Sequence, residues 1–187
     1  MIGRLFPAMV GVVLSAGVAQ AGSLSLAFND FSAQVGFNQT VSEDSRARSA
    51  FGVRGLYNDR KESKLVSAGL EVSGPLGRTG LELGAGVRGY YAKSDHDDIA
   101  GAGLGGLVRF VPPGAANVKL AGSVYYCPKV FTGMDGERLL ETEISAAYEF
   151  VPRAAVFLSY GLIEADLENR HERTLDESLR GGITLSF

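Results

Sequence analysis

The last ten residues, Ser178-Leu179-Arg180-Gly181-Gly182-Ile183-Thr184-Leu185-Ser186-Phe187, decide how the rest of the chain is read. Leu179, Gly181, Ile183, Leu185 and Phe187 fall on one side of an extended backbone; Ser178, Arg180, Gly182, Thr184 and Ser186 fall on the other. Successive side chains of a strand point to opposite faces, whereas a helix brings i and i+4 together, so this period of two specifies a strand. The same alternation recurs upstream. Phe51, Val53 and Tyr57 oppose Gly52 and Arg54, and Val66, Ala68, Leu70 and Val72 oppose Ser67, Gly69 and Glu71. Leu81, Leu83, Ala85, Val87 and Tyr91 alternate with Glu82, Gly84, Gly86, Arg88 and Tyr90. Leu104, Val108 and Phe110 oppose Gly105 and Arg109, while Val118, Leu120, Gly122, Val124 and Tyr126 alternate with Lys119, Ala121, Ser123 and Tyr125. Thr142, Ile144, Ala146, Tyr148 and Phe150 alternate with Glu141, Glu143, Ser145, Ala147 and Glu149. Val156, Leu158, Tyr160 and Leu162 complete the series, and no helical stripe follows residue 21.

Composition narrows the classes open to such a chain. Eighteen basic residues against twenty-one acidic ones in 187 exclude the cationic face of a nucleic-acid binder. The single Cys127 excludes a disulfide framework and a cysteine-based zinc site. Residues 1–4 carry one positive charge at Arg4, residues 5–19 are almost wholly apolar, and Ala19-Gln20-Ala21 has the small-x-small form of a signal-peptidase site. The apolar run is shorter than the roughly 20 residues of a membrane-spanning helix. Residues 1–21 therefore read as a cleaved signal peptide and 22–187 as one exported domain.

An exported chain of alternating strands is either a soluble β-domain, apolar inside and charged outside, or a membrane barrel with the reverse arrangement. Three features favour the barrel. Residues 74–80, 112–115 and 151–153 are short Pro/Gly turns, and the polar connections 58–63, 94–99, 128–138 and 164–175 lie between them, which predicts short turns at one end and longer loops at the other. Tyr57, Tyr91, Tyr126 and Tyr160 then fall toward the loop end, and Phe110, Phe150 and Phe187 toward the turn end, all on the apolar face, as two interfacial girdles require. Finally, the terminal segment resembles the insertion signal of bacterial outer-membrane barrels, with Gly182, Leu185 and Phe187 in its defining places. That resemblance implies two partners, outer-membrane lipid and the barrel-assembly machinery engaged through the last strand.

Eight strands are counted from Ser49 to Phe187. Residues 23–38 also alternate, with Asn29-Asp30 as a turn, and an added hairpin gives ten, with 39–47 as an inner connection. The expected fold is all-β, a transmembrane antiparallel up-and-down β-barrel of 8–10 strands, ten favoured. Its inward face collects Arg54, Arg88, Arg109, Lys119 and Arg180 against Glu71, Glu82, Glu143 and Glu149, among many glycines. Such a charge-lined lumen is either a narrow passage or a tube plugged by its own ion pairs.

Several motifs invite chemistry without supporting it. Gly101-Ala102-Gly103-Leu104-Gly105-Gly106 has the dinucleotide-binding spacing but runs into a strand rather than a helix. Asp95-His96-Asp97-Asp98 has cation-ligating side chains, and His171 lies in a charged stretch; both read as solvated loops. An outer-membrane hydrolase or acyltransferase built on His96 or His171 is the enzymatic alternative, and a soluble ligand-binding β-domain the other. No catalytic residue, cofactor or metal is expected.

Val124-Tyr125-Tyr126-Cys127-Pro128 before an acidic loop, Tyr148 before the Pro152 turn, and Tyr160-Gly161 before the final charged segment and Phe187 together resemble the YfaZ family of bacterial outer-membrane proteins. The family usually has a small residue before that proline, so Cys127 is a departure. The resemblance implies location in the bacterial outer membrane and a porin-like barrel, and it implies no reaction.

Overall fold

The computed structural model describes residues 21–44, 46–94, 97–134, 136–167 and 170–187. Among them are β1 (Gly22–Phe28), β2 (Ser32–Glu43), β3 (Arg48–Asn58), β4 (Ser63–Pro75), β5 (Leu81–Ser94), β6 (Asp97–Phe110), β7 (Val118–Cys127), β8 (Thr132–Met134), β9 (Gly136–Val151), β10 (Ala154–Leu167) and β11 (Arg170–Ser186). Neighbours pair antiparallel in the order β5-β4-β3-β2-β1-β11-β10-β9-β7-β6, and β6 returns to β5. The sheet is therefore a closed barrel of ten strands, with the three-residue β8 pairing on the upper part of β6. Closure at the termini is by backbone: Gly22 N–H donates to Phe187 O at 3.0 Å, and Phe187 N–H to Gly22 O at 2.9 Å. The expected signal peptide lies, but for Ala21, outside the described residues, and β1 begins at Gly22.

Two expectations about connections are corrected. β2 is twelve residues long and runs to Glu43, so the inner connection is 44–47 rather than 39–47. The polar segments read as long loops are mostly strand: β5 reaches Ser94, β6 starts at Asp97, β10 reaches Leu167 and β11 starts at Arg170. The expected contrast between short turns and long loops is thus absent, since five residues, 76–80, part β4 from β5 at one end and four, 59–62, part β3 from β4 at the other.

The physical reason is a reversal of the alternation. In the half of the barrel nearer the short Pro/Gly turns, Val72, Val87, Leu158 and Ile183 are exposed on the outside, while Glu71, Arg88, Ser159 and Gly182 face in. Beyond the tyrosines the pattern inverts. Leu56, Leu65, Ala92, Ile99, Cys127, Leu139, Ile163, Ala165 and Leu175 form one buried apolar cluster inside the bore. Outside it, Lys64, Lys93 and Arg138 are in contact with solvent or paired at the surface. A charged strand segment looks like a loop when charge is expected only inward. Here it is a barrel wall built in the soluble manner, with a dry interior and a hydrated exterior.

Candidate functional site

Among the described residues, the bore is where the strands bring charged side chains together from opposite walls. Arg54 on β3 and Glu141 on β9 lie five strands apart in a ring of ten, so they face each other across a full diameter. Arg54 Nη1 donates to Glu141 Oε1 at 2.5 Å and to Glu143 Oε2 at 3.2 Å. Arg88 on β5 donates to the same Glu141 oxygen at 2.9 Å and, through Nη2, to Glu71 Oε1 at 2.9 Å. Arg109 on β6 continues the chain, donating to Glu71 Oε2 at 3.0 Å and Glu82 Oε1 at 3.1 Å. Ser73 donates to Glu82 and accepts from Arg109 at 3.2 Å. Four carboxylates and three guanidiniums thus form one continuous network across the tube. Each long side chain is held by partners on other strands, which gives the network its rigidity.

Tyr125 sits over this network. Its hydroxyl donates to Glu71 Oε1 at 2.9 Å, and the Arg88 guanidinium lies 4.0 Å from its ring centre, a cation–π contact. Glycines make room for it: a Cβ at Gly105 would collide with the Tyr125 ring and the Val124 carbonyl, and one at Gly86 would stand 2.7 Å from Leu70 O. Tyr125, Glu141 and Cys127 are at most 1% exposed, so the hub of the network is shielded from water.

A second cluster occupies the wall around β11. Arg180 Nη1 donates to Asp176 Oδ2 at 2.9 Å, while Asn58 Nδ2 and Ser178 Oγ each donate to Asp176 Oδ1 at 2.7 Å. Ser63 Oγ reaches the Leu175 carbonyl at 2.6 Å and ties β4 to β11 across the bore. All of these polar groups are buried. On the short-turn side of the charge network lies a small polar cavity of about 100 Å³, bordered by Glu71, Arg109, Ser123, Glu143 and Ser145.

Of the nine charges predicted to line the lumen, Arg54, Glu71, Glu82, Arg88, Arg109 and Glu143 meet in the main network, and Arg180 stands in the second cluster. Lys119 and Glu149 pair with one another at 2.6 Å at the short-turn rim, where both remain in contact with solvent. Sequence reasoning missed Glu141, the hub. The alternation that marks Glu143 and Glu149 runs through it, so the signal was present. Asp176 continues the inward alternation of Ser178 and Arg180, so its signal was present too; the register shift comes just beyond it, at Leu175.

On the outer face, Tyr57, Tyr91, Tyr126, Tyr160 and Phe150 are exposed and Phe110 is half-buried. Hydroxyls of Tyr57, Tyr91 and Tyr160 donate to Asp59, Asp98 and Glu177 at 2.9, 3.3 and 3.1 Å, away from the apolar band. Leu185 and Phe187 point outward, while Gly182 packs inward against the Phe157 ring. His96 lies outside the described residues, and the backbone of His171 belongs to β11. Among the described residues, no group of three or more His, Cys, Asp or Glu is placed to hold a metal ion.

Comparison with known proteins gives a family. The family model described as "YfaZ precursor" matches residues 5–187. None of the curated proteins matches. Among solved structures, the barrel is similar to the KdgM porin in complex with disordered oligogalacturonate, at 10% identity and a TM-score of 0.49 over 89% of this chain and 99% of that one. It is also similar to the outer-membrane expressed OmpT of Vibrio cholerae, at 10% identity and a TM-score of 0.40 over 83% and 56% of the two chains.

Proposed function

The chain belongs to the YfaZ family, and from that premise we propose that it is a non-enzymatic outer-membrane barrel with a closed bore, a porin-like shell that serves the envelope as a scaffold. The observation that carries this reading is the contact of Arg54 with Glu141 across the full diameter, with Glu141 shielded from water. A general porin needs a hydrated passage; here guanidiniums and carboxylates pair with one another across the tube, and an apolar plug lies above them. The exposed apolar belt suits acyl chains, and the aromatic residues at its two edges suit the interfaces with water. Outer-membrane lipid and the barrel-assembly machinery, the latter through Gly182, Leu185 and Phe187, are the partners in this reading.

Planar-bilayer recording of refolded protein tests it. The closed barrel keeps current at the lipid baseline. Stepwise conductance in the unmodified protein would overturn the closed reading in favour of a channel, for which the polar cavity beside Ser123 and Ser145 would be the entry.

A further inference from the structure

We propose that the outer wall carries a binding site for the phosphate of a lipid headgroup, centred on Lys64 and Lys93. This rests on the outer-membrane reading above. The two lysines are direct cross-strand partners on β4 and β5. Both point outward, one row beyond the Val66–Tyr91 pair that ends the apolar wall. Like charges placed opposite one another on a sheet repel, so the pair is an arrangement that an anion between them would relieve.

The flanking residues frame the site. Tyr57 is the cross-strand partner of Lys64, whose Nζ lies 5.9 Å from the tyrosine ring centre. On the other side Lys93 pairs with Asp98, Nζ to Oδ1 3.1 Å, and keeps its side chain 60% exposed. Within the row Tyr57–Lys64–Lys93–Asp98 two ammoniums stand beside one carboxylate, and Asp59, at its edge, is engaged by the Tyr57 hydroxyl.

The position selects a lipid over a free anion. Directly below the lysines, Val66, Leu70 and Val72 on β4 and Val87 on β5 are exposed on the same face. A soluble phosphate gains nothing from an apolar wall beneath it, whereas a lipid lays its acyl chains there while its phosphate meets the ammoniums. The barrel is also asymmetric in this respect. Among the described residues, outward strand positions at the tyrosine end carry Lys64, Lys93 and Arg138, with Asp98, Glu164, Asp166 and Glu177 among them. Of these cations only Lys64 and Lys93 stand directly opposite one another. Among the same residues, the phenylalanine end carries no outward lysine or arginine. Arg138 is paired with Asp166 at 2.5 Å.

The test is native mass spectrometry of the detergent-folded protein with bisphosphorylated lipid A, with the same lipid stripped of phosphate, and with inorganic phosphate as competitor. Wild type should retain the phosphorylated lipid and not the stripped one. Lys64→Gln/Lys93→Gln should bind about thirtyfold more weakly, since each lysine near a lipid surface contributes about a fivefold factor. Lys119→Gln, at the other rim, should bind as wild type does. Equal retention by wild type and the double variant, or displacement by inorganic phosphate alone, would overturn the proposal. Heat-modifiable mobility after folding into vesicles reports insertion separately. Failure of wild type to insert overturns both the location and the site, whereas normal insertion with unaltered lipid binding overturns the site alone.

Discussion

Arg54 Nη1 and Glu141 Oε1 lie 2.5 Å apart although their strands stand on opposite sides of the barrel. Glu141 also receives Arg88, so two guanidiniums from one half of the wall share one carboxylate from the other, beside their further contacts to Glu143 and Glu71. Deleting that carboxylate takes the shared, water-shielded partner from both cations and leaves Arg54 with Glu143 and Arg88 with Glu71. Glu141→Ala should therefore lower folding stability by about 3–5 kcal/mol, the range for breaking one partner out of a buried pair. The change Arg54→Met/Arg88→Met/Glu141→Leu/Glu143→Gln should recover much of the loss, because it removes both cations along with the β9 carboxylates, while Glu71 keeps Arg109. Urea midpoints of the vesicle-folded proteins check both.

Gly105 and Gly181 separate a packing role from simple chain flexibility. A methyl group at Gly105 meets the Tyr125 ring, and moving that ring breaks its bond to Glu71. Gly105→Ala should destabilise by about 1–3 kcal/mol as an overpacked site. Nothing lies within 4 Å of a Cβ at Gly181, so Gly181→Ala should stay within about 0.5 kcal/mol of wild type in the same unfolding series.

The reversal of polarity beyond the tyrosines makes its own prediction. Leu139, 1% exposed, belongs to the apolar plug. Leu139→Ala should cost about 2–5 kcal/mol, as in the core of a soluble protein. Glu164, on the outer register of the same region, should tolerate alanine to within about 0.5 kcal/mol. Similar losses at both positions, measured by unfolding, would contradict an inward core there.

Asp44 closes the β2–β3 turn by accepting backbone N–H groups of Arg46 and Ala47 at 2.7 and 2.9 Å. These bonds to the ionised form hold its pKa below the usual carboxylate value. A depressed folded pKa contributes stability above the unfolded pKa, and that contribution fades as pH falls through the folded one. Hydrogen exchange in the turn should be faster in Asp44→Ala than in wild type at neutral pH. The difference should narrow as the solution is acidified below the usual carboxylate range.

The lower half of the barrel was legible because a lipid-facing wall leaves apolar side chains at every second residue, as along Leu179 to Phe187. Ten strands followed from the same period once residues 23–38 were read with it. The upper half was not legible, since segments such as Ile163-Glu164-Ala165-Asp166 put charge outward and small or apolar groups inward, which mimics a loop when a lipid-facing exterior is assumed. Faces could be assigned to Arg54 and Glu143, but not the partnership of Arg54 with Glu141. That contact depends on which strands oppose one another across the bore, a property of closure and stagger that no single strand encodes. The bulge that turns Leu175 inward beside Asp176 was equally invisible.

The most direct test places a nitroxide at the middle of the outer wall, on Val87→Cys, in the protein folded into lipid vesicles. Val87 is 48% exposed and faces away from the bore, whereas Cys127 is fully buried and should resist the labelling reagent. The label should be relaxed strongly by oxygen, which concentrates in the acyl chains, and weakly by a water-soluble nickel chelate. A control label at Val130→Cys, in the turn after β7, should show the reverse. Free access of the chelate to position 87 in vesicles would contradict a lipid-facing wall.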